Sequence, residues 1–247
     1  QQQLTTILEL KQLNNYKFMV FVFSKQNVSK LQAYNIEPIF IKKWFYEKGL
    51  MYLLRQNWAF YFVEKYKIMP PFEKILVKYD IDLVYFLSPN KLAIDLVKIN
   101  YITTVWDLAH RDTPEFPEVR TFRKFEGLEI LYTQSLKKSI GIITDSNKGK
   151  INIIKRYGID KNRVYAVSYL PSQNAINTNI VDVKKKYCVG DNYIYYPAQF
   201  WSHKNHIYIL DAIKLLLIDN INLKAVFSGS NQGNLNYVLE YAKNIGV

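Results

Sequence analysis

The sequence predicts an α/β protein built on parallel β-sheets, and three observations carry that expectation. Short β-rich runs alternate with helix-length amphipathic stretches, the pattern of successive βαβ units. The runs are continuously apolar, as in Phe18-Met19-Val20-Phe21-Val22-Phe23 and Ile142-Ile143. Such runs suit strands covered on both faces, not the alternation of a half-wet antiparallel sheet. The 247 residues are 49% apolar and 15% aromatic, enough to bury a core without covalent staples.

Strands are expected at Lys17 to Phe23, Pro38 to Ile41, Ile81 to Leu87, Tyr101 to Val105, Gly141 to Thr144, Val164 to Val167, Tyr193 to Tyr196 and Leu223 to Ser228. Helices are expected at about Lys43 to Lys67, Arg120 to Lys138, Lys148 to Tyr157, Asn205 to Ile218 and Leu235 to Ile245. Ser146 stands where it can accept from the first turn of the third helix, and Gly158 where a left-handed residue would stop it. The polar stretch from Leu170-Pro171-Ser172 through Asn179 follows a strand and precedes a lysine-rich helix ending near Cys188, and it reads as a linker. Six strands come before it and two after, too few to complete a second doubly wound sheet.

Composition excludes several classes. A single cysteine, Cys188, rules out a disulfide framework and a multi-cysteine metal site, and points to a reducing compartment. The most apolar stretches fall far short of the roughly 20 residues that cross a bilayer. Gln1-Gln2-Gln3-Leu4 carries no basic head before an apolar run, so no signal peptide is read there. The net charge of +12 invites an anionic partner, but most of it is lysine in a chain rich in Asn, Ile and Tyr, and a compositional bias accounts for it at least as well. Nothing resembles a nucleic-acid reading platform, because the aromatics sit inside apolar runs.

Nine glycines form neither the G-x-G-x-x-G nor the P-loop spacing, so the familiar phosphate cradles are absent. The segment Tyr195-Tyr196-Pro197-Ala198-Gln199-Phe200-Trp201-Ser202-His203-Lys204-Asn205-His206 is a strand end, a polar-aromatic loop and a helix start. In an α/β sheet, ligands bind beyond the carboxyl ends of strands, where helix N-termini favour anions. Lys204 reads as a phosphate clamp; the competing reading is that Ser202 or Asn205 caps the helix and Lys204 is solvated. His203 and His206 lie at i, i+3, but with no carboxylate or thiol beside them in sequence the non-metal reading is preferred. Ile39 to Lys67 interleaves aromatics with lysines, which suits either an anionic bilayer surface or a packed core with wet lysines.

The same segment, with the helix from Ile207 and Asp211-Ala212, closely resembles the opening of the donor-binding domain of family 4 retaining glycosyltransferases of the GT-B fold. Lys204 matches the family's lysine on the diphosphate of a nucleotide sugar. Gln199 stands where an arginine commonly stands. The resemblance adds Ser202, His203 and Gly229, the last in Val226-Phe227-Ser228-Gly229-Ser230, to the donor-binding set. Thr104-Val105-Trp106-Asp107-Leu108-Ala109-His110-Arg111, then Pro114-Glu115-Phe116-Pro117-Glu118, resembles the acceptor-domain loop that closes over the sugar. It implies catalytic roles for His110 and Asp107 with Lys204, and acceptor-side roles for Trp106 and Arg111. Asp107 as a turn cap and His110 as a half-buried loop residue remain the plain alternatives.

The resemblance implies a Rossmann-like acceptor-side domain over 1–170 lacking its first strand, a linker over 171–190, and a partial donor-side domain over 191–247. It implies a metal-independent, mannosyltransferase-like enzyme with no cofactor. A nucleotide-diphosphate sugar is the donor and a glycan or lipid-linked molecule the acceptor, in polysaccharide or lipopolysaccharide biosynthesis. The expected setting is cytoplasmic, with peripheral contact at an anionic inner membrane face and no nucleic acid. The family's glycine-rich turn would precede Gln1 and its paired glutamates would follow Val247, so this stretch alone is expected to be inactive. A non-catalytic binding or assembly module on the same fold is the alternative.

Overall fold

The computed structural model describes residues 2–13, 15–42, 57–171 and 183–247. They fall into two units, one drawn from 1–108 and 128–178, the other from 109–127 and 179–247.

In the first unit, α1 (Gln2–Lys11), β1 (Phe21–Val22), α2 (Lys25–Gln32) and β2 (Ile39–Phe40) precede α3 (Asn57–Lys65), α4 (Pro71–Lys78) and β3 (Leu83–Phe86). Next come α5 (Leu92–Asp95) and β4 (Asn100–Val105). The chain re-enters this unit in the course of α8 (Lys124–Lys138) and continues through β5 (Gly141–Thr144), α9 (Asn147–Tyr157) and β6 (Val164–Ala166). Strands β1 and β2 pair in parallel, and β3-β4-β5-β6 form a parallel sheet in sequence order. The parallel α/β architecture is therefore the one expected, with all six strands placed where the apolar runs lie.

Burial explains the continuous runs. Val105, Leu131, Leu136, Ile142, Ile153 and Val164 form one core cluster between the sheet and its helices. Phe72, Leu76, Phe86 and Tyr101 form a second. Each fully buried aliphatic side chain contributes about 1.5–3 kcal/mol relative to exposure. Ser146 Oγ accepts from Gly149 N at 3.1 Å, and Gly158 ends α9 in the left-handed region at φ 63°. Both follow the sequence expectation.

Helices α2 and α4 went unread in the sequence. The Pro70-Pro71 pair punctuates like a loop, yet Pro71 sits at the first helical position, where a missing N–H costs nothing. Of the long helix expected from Lys43 to Lys67, Asn57–Lys65 is present and 43–56 lie outside the described residues. Tyr61 and Phe62 are exposed there, and the Lys65 ammonium sits 5.6 Å from the Tyr61 ring centre. The expected linker also lies largely outside the described residues.

The second unit contains α6 (Ala109–Asp112), α7 (Pro117–Arg120) and a 3₁₀ turn (Thr121–Arg123). It continues with α10 (Val183–Tyr187), β7 (Tyr193–Pro197), α11 (His206–Ile218), β8 (Lys224–Ser228) and α12 (Leu235–Ile245). Strands β7 and β8 pair in parallel, and Phe200, Leu210 and Val238 form the core beneath them. The helix expected to run from Arg120 begins only at Lys124, because Phe122 and Arg123 take positive φ values of 50° and 59° that no α-helix accommodates. No described helix is long and apolar enough to cross a membrane.

Candidate functional site

The site begins where β7 ends. Beyond Pro197 the chain folds tightly: Trp201 N donates to the Gln199 carbonyl at 2.8 Å, and the Trp201 indole N–H donates to Gln199 Oε1 at 2.9 Å. Phe200 N donates to the Ser230 carbonyl at 3.0 Å, zipping this loop to the one that follows β8. The approach is so close that a Cβ on Gly229 would fall 2.1 Å from the Ala198 carbonyl oxygen and 2.7 Å from Gln199 Cα. Glycine is required there by contact. Gly229 thus shapes the Gln199 loop through its backbone.

Ser202–Lys204 form a 3₁₀ turn. Lys204 N donates to the Trp201 carbonyl at 3.1 Å, and the Tyr196 hydroxyl donates to the Lys204 carbonyl at 2.9 Å. The main chain of Lys204 is held while its side chain is exposed. Asn205 then takes the left-handed conformation at φ 47°, ψ 51°, which reverses the chain into α11. Asn205 stands at the N-cap position of α11 but makes no side-chain cap, while the exposure of Lys204 agrees with both sequence readings of that residue. A fixed turn with a free ammonium, between the carboxyl end of a parallel strand and a 13-residue helix, can pair with phosphate oxygens.

The two histidines of the segment go separate ways. His203 turns to α7, where its Nδ1 meets Glu118 Oε1, while Phe116 packs edge-on against the ring at 5.8 Å. Trp201 stacks on His203 at 6.5 Å, and the Lys124 ammonium lies 5.6 Å from the Trp201 ring centre. Burial raises the Glu118 pKa, but the His203 hydrogen bond, the Glu118 and His203 backbone N–H groups and the His203 charge outweigh it, leaving it below the usual carboxylate value. His206 is fully buried, stacked on Phe200 and edged by Tyr196 and Phe227. Among the described residues, no three His, Cys, Asp or Glu side chains are grouped to hold a metal ion.

The predicted acceptor-side residues are divided. Trp106 and Asp107 follow β4 in the first unit, both exposed, with the Asp107 carbonyl accepting from the Tyr132 hydroxyl at 3.5 Å. His110 and Arg111 lie on α6 in the second unit. His110 is 2% exposed, its ring edge-on to Phe125 at 5.7 Å, and Arg111 is half-buried. Gln199, Ser202, His203, Lys204 and Gly229 come together around one loop pair. Phe116 and Glu118 lie in the segment read as an acceptor-domain loop but were given no individual role, and Lys124 was given none. Glu118 stands 85 residues from His203, and nothing in its own segment marks that pairing.

No family model and no curated protein sequence matches this chain. Solved structures match it in fold. A glycosyltransferase from Rickettsia africae ESF-5 superposes with TM-score 0.60 at 17% identity, over 99% of this chain and 60% of its own. Anabaena Alr3699/HepE, solved in complex with UDP, superposes with TM-score 0.62 at 12% identity, over 92% of this chain and 58% of its own. The fold is that of GT-B glycosyltransferases. The chain therefore spans less than two thirds of the length of either GT-B neighbour. In this GT-B-like fold the Lys204 turn lies at the carboxyl end of a parallel strand, the side of an open α/β sheet where ligands bind.

Proposed function

We propose that this chain is part of a retaining, family 4-like glycosyltransferase that transfers a hexosyl group, mannose-like, from a nucleotide-diphosphate sugar to a glycan or lipid-linked acceptor. The observation that carries the reading is the Ser202–Lys204 turn, fixed at its main chain and free at its ammonium. Support comes from the Anabaena neighbour, solved with UDP and, separately, with UDP and glucose.

In this reading Lys204 pairs with the diphosphate. As the bond from the sugar C1 to the diphosphate oxygen breaks, its electron pair stays on that oxygen, and the ammonium stabilises the growing charge without a divalent ion. Gln199 carries no charge and its Oε1 accepts from the Trp201 indole, so the cationic part of the loop is left to Lys204. Asp107, His110, Trp106 and Arg111 are assigned to the sugar and acceptor.

Calorimetric titration of UDP into the chain and into Lys204→Ala tests the clamp. Loss of one charge-assisted phosphate contact, about 1.5–3 kcal/mol, weakens binding by roughly 10- to 150-fold. Equal affinities would sink the assignment. Turnover of UDP-sugars by a longer chain carrying Lys204, abolished by the same substitution, separates an enzyme from a binding module that retains only affinity.

A further inference from the structure

We propose that Glu118 is a positioning residue of the Lys204 turn, holding His203 so that the turn is set for a diphosphate before ligand arrives. The proposal rests on reading that turn as the diphosphate site and adds the residue that orders it.

Three features of the contact support this. First, the partners are unequally exposed: the Glu118 side chain is 9% exposed and that of His203 is 37%. The carboxylate is the anchor inside and the imidazole the group at the surface. Second, the contact is made by the ring itself: His203 Nδ1 meets Glu118 Oε1 across 85 residues of sequence. Third, the ring packs against both Phe116 and Trp201, contacts that restrict its rotamer.

The chemistry assigns the donor. An ionised carboxylate only accepts, so Nδ1 carries the proton in this pair and Nε2 is left for other partners. The charged groups placed around the ring are Glu118 on α7, Lys204 on the turn itself, and Lys124 at the start of α8 through the Trp201 ring. Glu118 is the anion among them. It takes the imidazole as its partner, and among the described residues no carboxylate forms an ion pair with Lys204, while the main chain of 202–204 stays in place for phosphate oxygens.

The position outside the loop matters. Sequence neighbours of Lys204 supply the local hydrogen bonds of the turn, but these leave a short 3₁₀ segment ending in a left-handed residue. A half-buried carboxylate from a separate helix restrains the segment as a body, which lowers the ordering cost of binding.

The test compares UDP affinity, by calorimetry, for the 247-residue chain and for Glu118→Ala, Glu118→Gln and Lys204→Ala, with ¹⁵N spectra of the imidazoles as a second reading. With three histidines in the chain the ring signals are few enough to assign. Glu118→Ala should weaken UDP binding by about tenfold and shift the His203 Nδ1 resonance. Glu118→Gln, which keeps an acceptor oxygen for Nδ1–H, should recover most of the affinity. His206 and His110 resonances should stay in place in both. If Glu118→Ala binds UDP like the unsubstituted chain while Lys204→Ala does not, the turn is the diphosphate site and Glu118 does not position it. If the unsubstituted chain and Lys204→Ala do not differ, the site reading fails and takes this proposal with it. An unmoved His203 signal in Glu118→Ala overturns the proposal whatever the affinities are.

Discussion

The imidazole of His206 lies flat on the phenyl ring of Phe200, with centroids 4.4 Å apart and planes 13° apart. Tyr196 and Phe227 close the box edge-on at 5.1 and 5.2 Å, and neither ring nitrogen reaches a partner in ordinary hydrogen-bond geometry. The histidine of a polar-looking segment is thus a core side chain, at the first position of the helix that follows the Lys204 turn.

Burial in that box lowers the His206 pKa, the Ala198 backbone opposing the shift. The unfolded chain, with an ordinary value of about 6.5, then binds a proton that the native state refuses. Stability therefore rises with pH across this window and is lost as pH falls below about 6.5. Thermal melts over that range should show the decline in the native chain, and His206→Phe, which keeps the stack and removes the titrating group, should flatten it. An unchanged slope would assign the effect elsewhere. Glu118 acts lower: its depressed pKa contributes stability above the ordinary carboxylate range that disappears as pH falls through its folded value.

Gly229→Ala should damage the loop pair without touching a ligand group. The added Cβ would overlap the Ala198 carbonyl and the Gln199 Cα, both main-chain atoms, so the backbone itself must move. A loss of about 1–3 kcal/mol is expected, as for other forced overpacking. Denaturant unfolding of the variant measures it, and UDP affinity should fall together with stability. A variant as stable as the native chain would contradict the close approach.

Glu73 is a polar support of the first unit. It is fully buried, and its Oε1 accepts from the amides of Val97, Lys98 and Ile99 at 2.9, 2.7 and 2.9 Å. Glu73→Ala would leave three amides without their acceptor, at about 1–3 kcal/mol for each that stays buried. Burial lowers the Lys138 pKa, while Asp95 and Glu73 oppose that, so the same substitution should lower it further. Equilibrium unfolding reads the first effect and NMR titration of Lys138 the second.

Ser146→Ala removes the side-chain acceptor for Gly149 N and should cost about 1 kcal/mol. Gly158→Ala places a Cβ on a left-handed residue, at roughly 1–2 kcal/mol. The two ends of α9 are far enough apart in the helix for the losses to add. Melts of the single and double variants test the sum.

The strands were legible because each depends on a local property, a run of apolar residues long enough to be covered on both faces. Ile142 and Val164 are buried to the last atom, as their runs imply. The helix ends at Ser146 and Gly158 were legible for the same reason, since caps act over three or four residues. The Lys204 loop could be picked out because a strand end, a polar turn and a helix start follow one another directly. The break at Phe122 and Arg123 was not legible: neither residue type signals a positive φ, and both side chains are exposed, so no apolar pattern marks the position.

By itself, the chain's order of residues determined the parallel α/β architecture and the place of an exposed ammonium at a strand's end. Only the tertiary structure decided that His203 belongs to Glu118 and His206 to the core. It also decided that Gly229 answers to Ala198 and that Glu73 answers to the amides of 97–99. Backbone preference and apolar periodicity act between near neighbours, so they can be read along the chain. Which carboxylate meets which imidazole across 85 residues depends on how separate elements come to lie side by side, and folding alone brings that about.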